Sequence, residues 1–322
     1  MRADVPADML CDLSIIVVNY NTVHLLDEMF AAVEAAIGGL SVQKIVVDNA
    51  SRDGSAALLS ERYPDVDLIA NSENIGFGRA NNQALAVARG RYLLLLNTDA
   101  FVAPGGIERT VRYLDANPEV SVLGVRLVGR DGTLQPSCRF FPTPWNEFLV
   151  RTGLERVFRG ARLVDDMRWD HASVRECDWV PGCYCLLRKS VVDRIGLFDP
   201  RYFLYYEEVD HCRAEKAIGG KVVYYPDTTV VHIGGESAKS DAELTASGRQ
   251  IPALQIESAL LYYRKHHGRA GLALGVFLAA AGDALLLLKS LLRGRGTGGG
   301  FRRFATTWSL LHRTAWATRP TR

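Results

Sequence analysis

Leu13–Asn19 reads LSIIVVN, Lys44–Asp48 reads KIVVD and Tyr92–Asn97 reads YLLLLN. Each is a short, unbroken apolar run bounded by turn-forming residues. Such runs suit strands buried on both faces, the situation created when helices cross over a parallel sheet. The intervening segments agree. Val23–Ile37 has helical spacing and stops at Gly38-Gly39, Ser55–Tyr63 reads as a second helix, Val66–Ala70 as another strand, and Gly78–Arg89 as a helix ending at Gly90. Strand and helix alternate, which predicts an α/β fold on a mostly parallel, doubly wound sheet.

Beyond Pro104 the rhythm changes. Ile107–Asn117 predicts a helix, Val120–Val128 a strand, Trp179–Leu187 a strand, Val191–Ile195 a helical turn, Phe203–Lys216 a helix and Lys221–Val231 a strand. Phe140–Arg175, with Pro142, Pro144 and many Arg, reads as a variable insertion. No internal repeat is present.

Composition excludes several classes. The chain has 322 residues, 48% apolar and 23% charged, with net charge +2, so it holds enough apolar material for a packed core and is not intrinsically disordered. Six Cys with no paired CxxC spacing do not form a disulfide scaffold. Cys183 and Cys185 read as small buried hydrophobes. Residues 1–10 carry charges and no apolar core, which predicts no secretory signal and a cytoplasmic location.

Charge is unevenly distributed. Arg264–Arg322 holds 11 Lys or Arg against one acid, Asp283, whereas the remainder holds 27 basic and 35 acidic side chains. The 19 residues between Arg269 and Lys289 are apolar or small apart from Asp283. We therefore expect two regions: a catalytic domain over 1–245 and a basic, apolar helical extension over 246–322. A spanning helix needs about 20 apolar residues, and Asp283 near a bilayer centre costs about 2.5–3.5 kcal/mol. The expectation is a helix on the anionic inner face of the membrane, with Arg293, Arg295, Arg302 and Arg303 near the lipid. Packing on the catalytic domain or in a homodimer is the alternative. No aromatic–basic interleaving indicates nucleic acid.

In open α/β sheets, ligands bind beyond the carboxyl ends of the strands. Those ends are Asn19-Tyr20-Asn21, Asp48-Asn49 and Asn97-Thr98-Asp99. Neither a Gly-rich dinucleotide fingerprint nor a Walker loop is present. Asp48 is placed to accept hydrogen bonds from a ribose or base edge, and Asp99 offers a hard oxygen to a divalent cation. The rim therefore points to a nucleoside diphosphate.

Six segments occur in order: SIIVVNYN (14–21), VVDNASRDGS (46–55), NSENIGFGRANNQAL (71–85), LLLLNTDA (93–100), FLYYEEVDHCRA (203–214) and VVHIGGES (230–237). Together they resemble the family-2 glycosyltransferases, and most closely a bacterial rhamnosyltransferase-like branch, over about two thirds of the chain. The resemblance implies a GT-A fold and a nucleotide-sugar donor. It places Asp48 at the nucleoside, Tyr20 and Asn21 under the base, and Asn74, Gly76, Phe77 and Arg79 near the nucleotide and diphosphate. Asn49 and Thr98 complete the donor rim. Asn97-Thr98-Asp99 stands where relatives carry DxD, so Asp99 and His232 would hold Mg²⁺ or Mn²⁺.

Glu207, Glu208 and Asp210 carry the expected chemistry. Many relatives have Glu-Asp here, and the second acid is the expected base, which is Glu208 in this chain, with Glu207 the alternative. Trp179 and Gly182 fall in a segment that lies near the acceptor in relatives. The resemblance thus implies an inverting, metal-dependent transfer, with dTDP-rhamnose the leading donor, to a glycan or polyprenyl-diphosphate-linked acceptor in cell-surface polysaccharide synthesis. Alternatives are a UDP-sugar donor (galactofuranose, N-acetylglucosamine) or a membrane scaffold that binds sugar nucleotides without turnover.

Overall fold

A computed structural model describes residues 11–234 and 250–292, together with residues 305, 308 and 309. Arg293, Arg295, Arg302 and Arg303, and the absence of a signal over 1–10, lie outside the described residues.

The elements run β1 (Cys11–Asn19), α1 (Val23–Ile37), β2 (Val42–Asp48), α2 (Ser55–Arg62), β3 (Val66–Ala70), α3 (Phe77–Leu85), β4 (Gly90–Asn97), β5 (Ala100–Val102), α4 (Gly106–Ala116), β6 (Val120–Val128) and β7 (Leu134–Gln135). They continue α5 (Pro144–Thr152), β8 (Arg175–Cys177), β9 (Tyr184–Arg188), α6 (Lys189–Ile195), α7 (Glu207–Ala217), β10 (Lys221–His232) and α8 (Gln250–Leu292). The sheet order is β3-β2-β1-β4-β9-β6-β10-β5, with β7 on β6 and β8 on β10. β1, β2, β3 and β4 pair in parallel, β6 and β10 pair in parallel, and β9 runs antiparallel to both β4 and β6. The sheet is thus mostly parallel, as the apolar runs predict.

Alternate residues of a strand face opposite sides, so each central strand feeds two cores. Ile15, Val17, Leu94 and Leu96 pack with α1 and α4, whose buried residues include Met29, Phe30, Ile107 and Val111. Ile16, Leu93 and Leu95 pack on the other face with Ala80 and Ala84 of α3, Val192 of α6, Val209 and Cys212 of α7, and Tyr262 and Tyr263 of α8.

Several boundaries differ from expectation. The 203–216 helix begins only at Glu207, and β9 only at Tyr184, so Trp179–Cys183 is loop. The insertion over 140–175 is not featureless: it contains α5. A capping box starts that helix, with Thr143 Oγ1 accepting from Asn146 N (3.1 Å), Asn146 Oδ1 accepting from Thr143 N (2.8 Å), and Pro144 at the first turn. α5 packs against α8. α8 is two helices joined at Gly268, whose φ of 65° and ψ of −163° break the helical path.

Candidate active site

Strand register sets the rim. Asn19 pairs with Asp48 across β1 and β2, and Val18 with Asn97 across β1 and β4, so three loops leave the sheet at one level. Side chains knit them together. Asn19 Nδ2 donates to Asp48 Oδ1 (2.7 Å), and Asn49 Nδ2 donates to Asn74 Oδ1 (2.7 Å), which also accepts from Gly76 N (3.0 Å). Gly76 has φ 89°, and a Cβ there would stand 2.5 Å from the Phe203 carbonyl oxygen, so the tight approach requires glycine.

Above the rim is a cleft of about 360 Å³, within the size range of small-ligand sites. Its lining includes Tyr20, Asn49, Asn74, Gly76 and Phe77, with Asn97, Thr98, Asp99 and His232 and with Gly182, Glu207 and Glu208. Asn21, Ala50, Tyr205 and Tyr206 have positive φ and occupy the loops after β1 and β2 and the entry to α7. Such conformations cost energy and cluster where the fold over-determines a site.

The topology explains how Asp99 meets His232. β5 starts one residue after Asp99 and runs antiparallel to the end of β10, with Ala100 opposite His232. Gly234 N donates to Asp99 Oδ2 (3.0 Å), which leaves Oδ1 facing His232 Nε2 at 3.5 Å. The other imidazole nitrogen is held by Gln135. Gln135 Nε2 donates to the His232 carbonyl (2.8 Å), so its Oε1 is the atom that meets Nδ1 (3.0 Å) and must accept a proton from it. This fixes the Nδ1–H tautomer and leaves a lone pair on Nε2. Burial holds the imidazole below its usual range, against the pull of Asp99. Two lone-pair donors thus face each other, an arrangement that suits a cation. Among the described residues no group of three or more His, Cys, Asp or Glu forms a metal cluster. Two side chains plus a diphosphate are what a hard cation in a nucleotide site requires.

Glu207 is 3% exposed. Burial, reinforced by Glu208, pushes its carboxyl well above the usual range, and burial likewise raises Glu208, against the helix-start N–H groups and the Arg139 guanidinium. One buried oxygen of each, Oε2, has no hydrogen-bond partner. Gly182 separates Glu208 from Phe77.

Five expected site residues lie outside the cleft lining. Asp48 and Asn21 stand behind it, Asp48 bound to Asn19 and Asn21 Oδ1 accepting from Arg52 N (2.7 Å). Arg79 Nε donates to the Pro200 carbonyl (2.8 Å). Trp179 is buried, with Nε1 donating to the Phe140 carbonyl (2.8 Å). Asp210 turns away altogether and accepts from Lys265 Nζ (2.7 Å) and meets His266 Nε2 (2.6 Å), both on α8. Sequence reading missed Arg139, which lines the cleft with its guanidinium 4.2 Å from the Trp179 ring centre. It also missed Phe203 and Leu204, which adjoin the acid pair along the chain.

The family described as glycosyl transferase family 2 matches residues 14–161. An N-acetylglucosaminyl-diphospho-decaprenol L-rhamnosyltransferase of Mycobacterium tuberculosis is 27% identical over 253 residues, which cover 71% of this chain and 78% of that protein. The rhamnosyltransferase WbbL of Escherichia coli K12 is 26% identical over 209 residues, covering 61% of this chain and 75% of WbbL. Among solved structures, the mannosyltransferase PcManGT of Pyrobaculum calidifontis, in complex with GDP-Man and Mn²⁺, superposes with a TM-score of 0.53 at 18% identity, covering 96% of this chain and 88% of that one.

Proposed function

The chain is a family-2 glycosyltransferase of rhamnosyltransferase-like type, and from that premise we propose that it transfers a rhamnosyl group from dTDP-rhamnose, with inversion, to a polyprenyl-diphosphate-linked acceptor. The observation that supports the reading is that two unlike pairs line one cleft: Glu207 and Glu208, each with a partnerless oxygen, and Asp99 and His232, with convergent lone pairs.

An acceptor hydroxyl is a weak nucleophile. Glu208, the more accessible of the two acids, takes its proton as the oxygen attacks the anomeric carbon. A positioned base of this kind contributes typically 10²–10⁴-fold. Attack comes from the face opposite the diphosphate, so a single displacement inverts the configuration. Burial and Glu208 raise the Glu207 carboxyl beside it well above the usual range. Asp99 and His232 would hold Mg²⁺ or Mn²⁺, whose charge would offset that growing on the leaving diphosphate. PcManGT, of like fold, was solved with Mn²⁺ and a nucleotide sugar. Tyr20, Asn74 and Phe77 frame the donor, with Asp48, Asn49 and Asn21 bracing the loops that carry them.

The acceptor class follows the mycobacterial relative, whose name gives a decaprenyl-diphosphate acceptor. A lipid-linked acceptor places the enzyme at the cytoplasmic membrane surface. α8 supports this: its Leu254–Leu292 portion is long and apolar enough to cross a membrane, with 22% of the most apolar window buried. Asp283 is buried against α5 by an ion pair with Arg151, which favours a helix lying along the domain over one that spans.

The test is nucleoside diphosphate release by the purified full chain with Mg²⁺ or Mn²⁺, across dTDP- and UDP-sugars, with and without polyprenyl-diphosphate-linked N-acetylglucosamine. Release with dTDP-rhamnose that needs both acceptor and cation, and that collapses in Asp99→Asn and Glu208→Gln, supports the reading. NMR of the product linkage reads the inversion. Turnover with a UDP-sugar alone would replace the donor. Tight nucleotide binding without turnover would favour a scaffold.

A further inference from the structure

Fourteen large apolar side chains are exposed among the described residues, and they are not scattered. Six fall between Trp145 and Val174, and five on α8 between Leu274 and Leu292. Of these segments, α5 packs directly against α8. Gly282 of α8 lies against Phe148, Arg151 and Thr152, Asp283 pairs with Arg151, and Lys289 Nζ donates to the Thr152 carbonyl (2.6 Å). We propose that α5 and the turn after it form, together with the second half of α8, one composite surface that docks on an anionic lipid bilayer. The proposal rests on the membrane part of the preceding reading and extends it from the terminal helix to the 140–175 insertion.

On α8, Leu274, Phe277, Leu288 and Leu291 recur at helical spacing and so share one side of the helix. On the insertion, Trp145 stacks with Phe148 and meets Phe158 edge-on, both at 5.7 Å between ring centres. Trp145 and Phe158 are about half exposed, so this aromatic cluster stands in solvent rather than in a core. Exposed Trp and Phe beside basic residues are what an interfacial element offers a headgroup layer. Exposed apolar patches of this kind mark interaction sites.

Charge selects the occupant. The turn after α5 reads Arg156-Val157-Phe158-Arg159, all four exposed, with Val157 at 72%. Two apolar side chains bracketed by guanidinium groups match an apolar layer roofed by phosphate. Across a two-fold axis the same Arg residues would approach their own copies. A bilayer therefore suits the face better than a second copy of the chain.

The surface also reaches the chemistry. Glu147 of α5 accepts from Tyr206, the residue before α7, and from Tyr263 of α8, both at 2.5 Å. Docking α5 and α8 on a bilayer would brace the start of the helix that carries Glu207 and Glu208.

The experiment is flotation of the purified full chain with vesicles of phosphatidylcholine alone or with 30% (about one third) phosphatidylglycerol. The test variant is Val157→Asp with Phe158→Asp, and the control is Val87→Asp with Ile218→Asp, which alters exposed apolar residues elsewhere. Circular dichroism checks folding, and light scattering reads the oligomeric state. We expect preference for the anionic vesicles, a loss of about tenfold or more in partitioning for the test variant, and no change for the control. Wild-type partitioning in the test variant would confine the lipid contact to α8 and overturn the proposal. A dimer-to-monomer shift without lost partitioning would overturn it in favour of a second copy. Failure of the wild type to float would remove the membrane reading as well, whereas glycosyl transfer is assayed separately.

Discussion

α7 carries two kinds of buried acid within one turn. Glu207 and Glu208 each leave an oxygen without a partner at the cleft. Asp210, two residues on, is held by Lys265 and His266, with the Tyr202 hydroxyl at 3.5 Å. Glu147 nearby belongs with Asp210, since both its oxygens accept from tyrosine hydroxyls. A buried polar group without its partner costs free energy. Glu207 and Glu208 line the cleft with an oxygen open to a ligand, whereas Asp210 and Glu147 are struts that join α5, α7 and α8.

The comparison breaks most directly at Glu208. Glu208→Gln should lower kcat by about 10²–10⁴-fold while leaving nucleotide binding and the circular dichroism spectrum intact. Because burial raises this carboxyl above the ordinary range, the acid limb of the kcat profile should fall at a pH above 4.5, the ordinary glutamate value, rather than below it. A Glu208→Gln enzyme at full rate would move the base to Glu207 or off α7.

On the cleft floor, Gln135 plays the strut to His232. Gln135→Leu keeps the size but frees the imidazole to protonate at Nε2, the nitrogen that faces Asp99. Loss of such an outer partner typically weakens a metal site by 10–100-fold. The check is Mn²⁺ titration by electron paramagnetic resonance in the presence of dTDP. Gln135→Glu, which still accepts from Nδ1–H, should recover most of the affinity. Unchanged affinity in Gln135→Leu would leave the tautomer without a role.

Much of this was legible in the sequence, for identifiable reasons. Parallel strands buried on both faces write themselves as apolar runs, and the residues ending them are the rim, so Asn97, Thr98 and Asp99 were found from position alone. The helix geometry that removes Asp210 from the cleft is less visible. Asp210 stands about 200° from Glu208 but only about 60° from Glu207, so periodicity does not decide its side, and the partners that do, Lys265 and His266, lie 55 and 56 residues further along the chain. α5 was missed because its capping box has Asn146 where Glu or Gln is the usual signal. Gln135 sits in a two-residue strand, too short to leave any periodicity. Arg139 is placed by backbone bonds to Trp179, a pairing across 40 residues of chain that no local pattern announces.

The struts should answer to stability rather than rate. Asp210→Asn loses the charge that holds Lys265 and His266, and Glu147→Gln replaces a double acceptor with one that can accept only once without penalty. Each should lower unfolding free energy by about 1–3 kcal/mol, read by denaturant titration. The donor dissociation constant should stay near the wild-type value. A wild-type midpoint for Asp210→Asn would mean that α8 is held by packing alone.

The smallest effect has the opposite sign, and it sharpens the comparison most. Glu207 is raised by burial and by Glu208, so between the ordinary carboxyl range and its raised value the folded chain holds a proton that the unfolded chain has released. In that window stability falls as pH rises. Gln mimics the protonated form and does not titrate. Glu207→Gln should therefore match the wild-type melting temperature near pH 4.5 and exceed it as the pH rises through that window, by about 0.5–2 kcal/mol. The melting curves are taken without nucleotide or added cation, so that no ligand restores the balance. Asp210→Asn must show the reverse sign at neutral pH. If Glu207→Gln instead melts lower than the wild type at pH 7, its carboxylate is a strut like Asp210, and the division between the two kinds of acid on α7 fails.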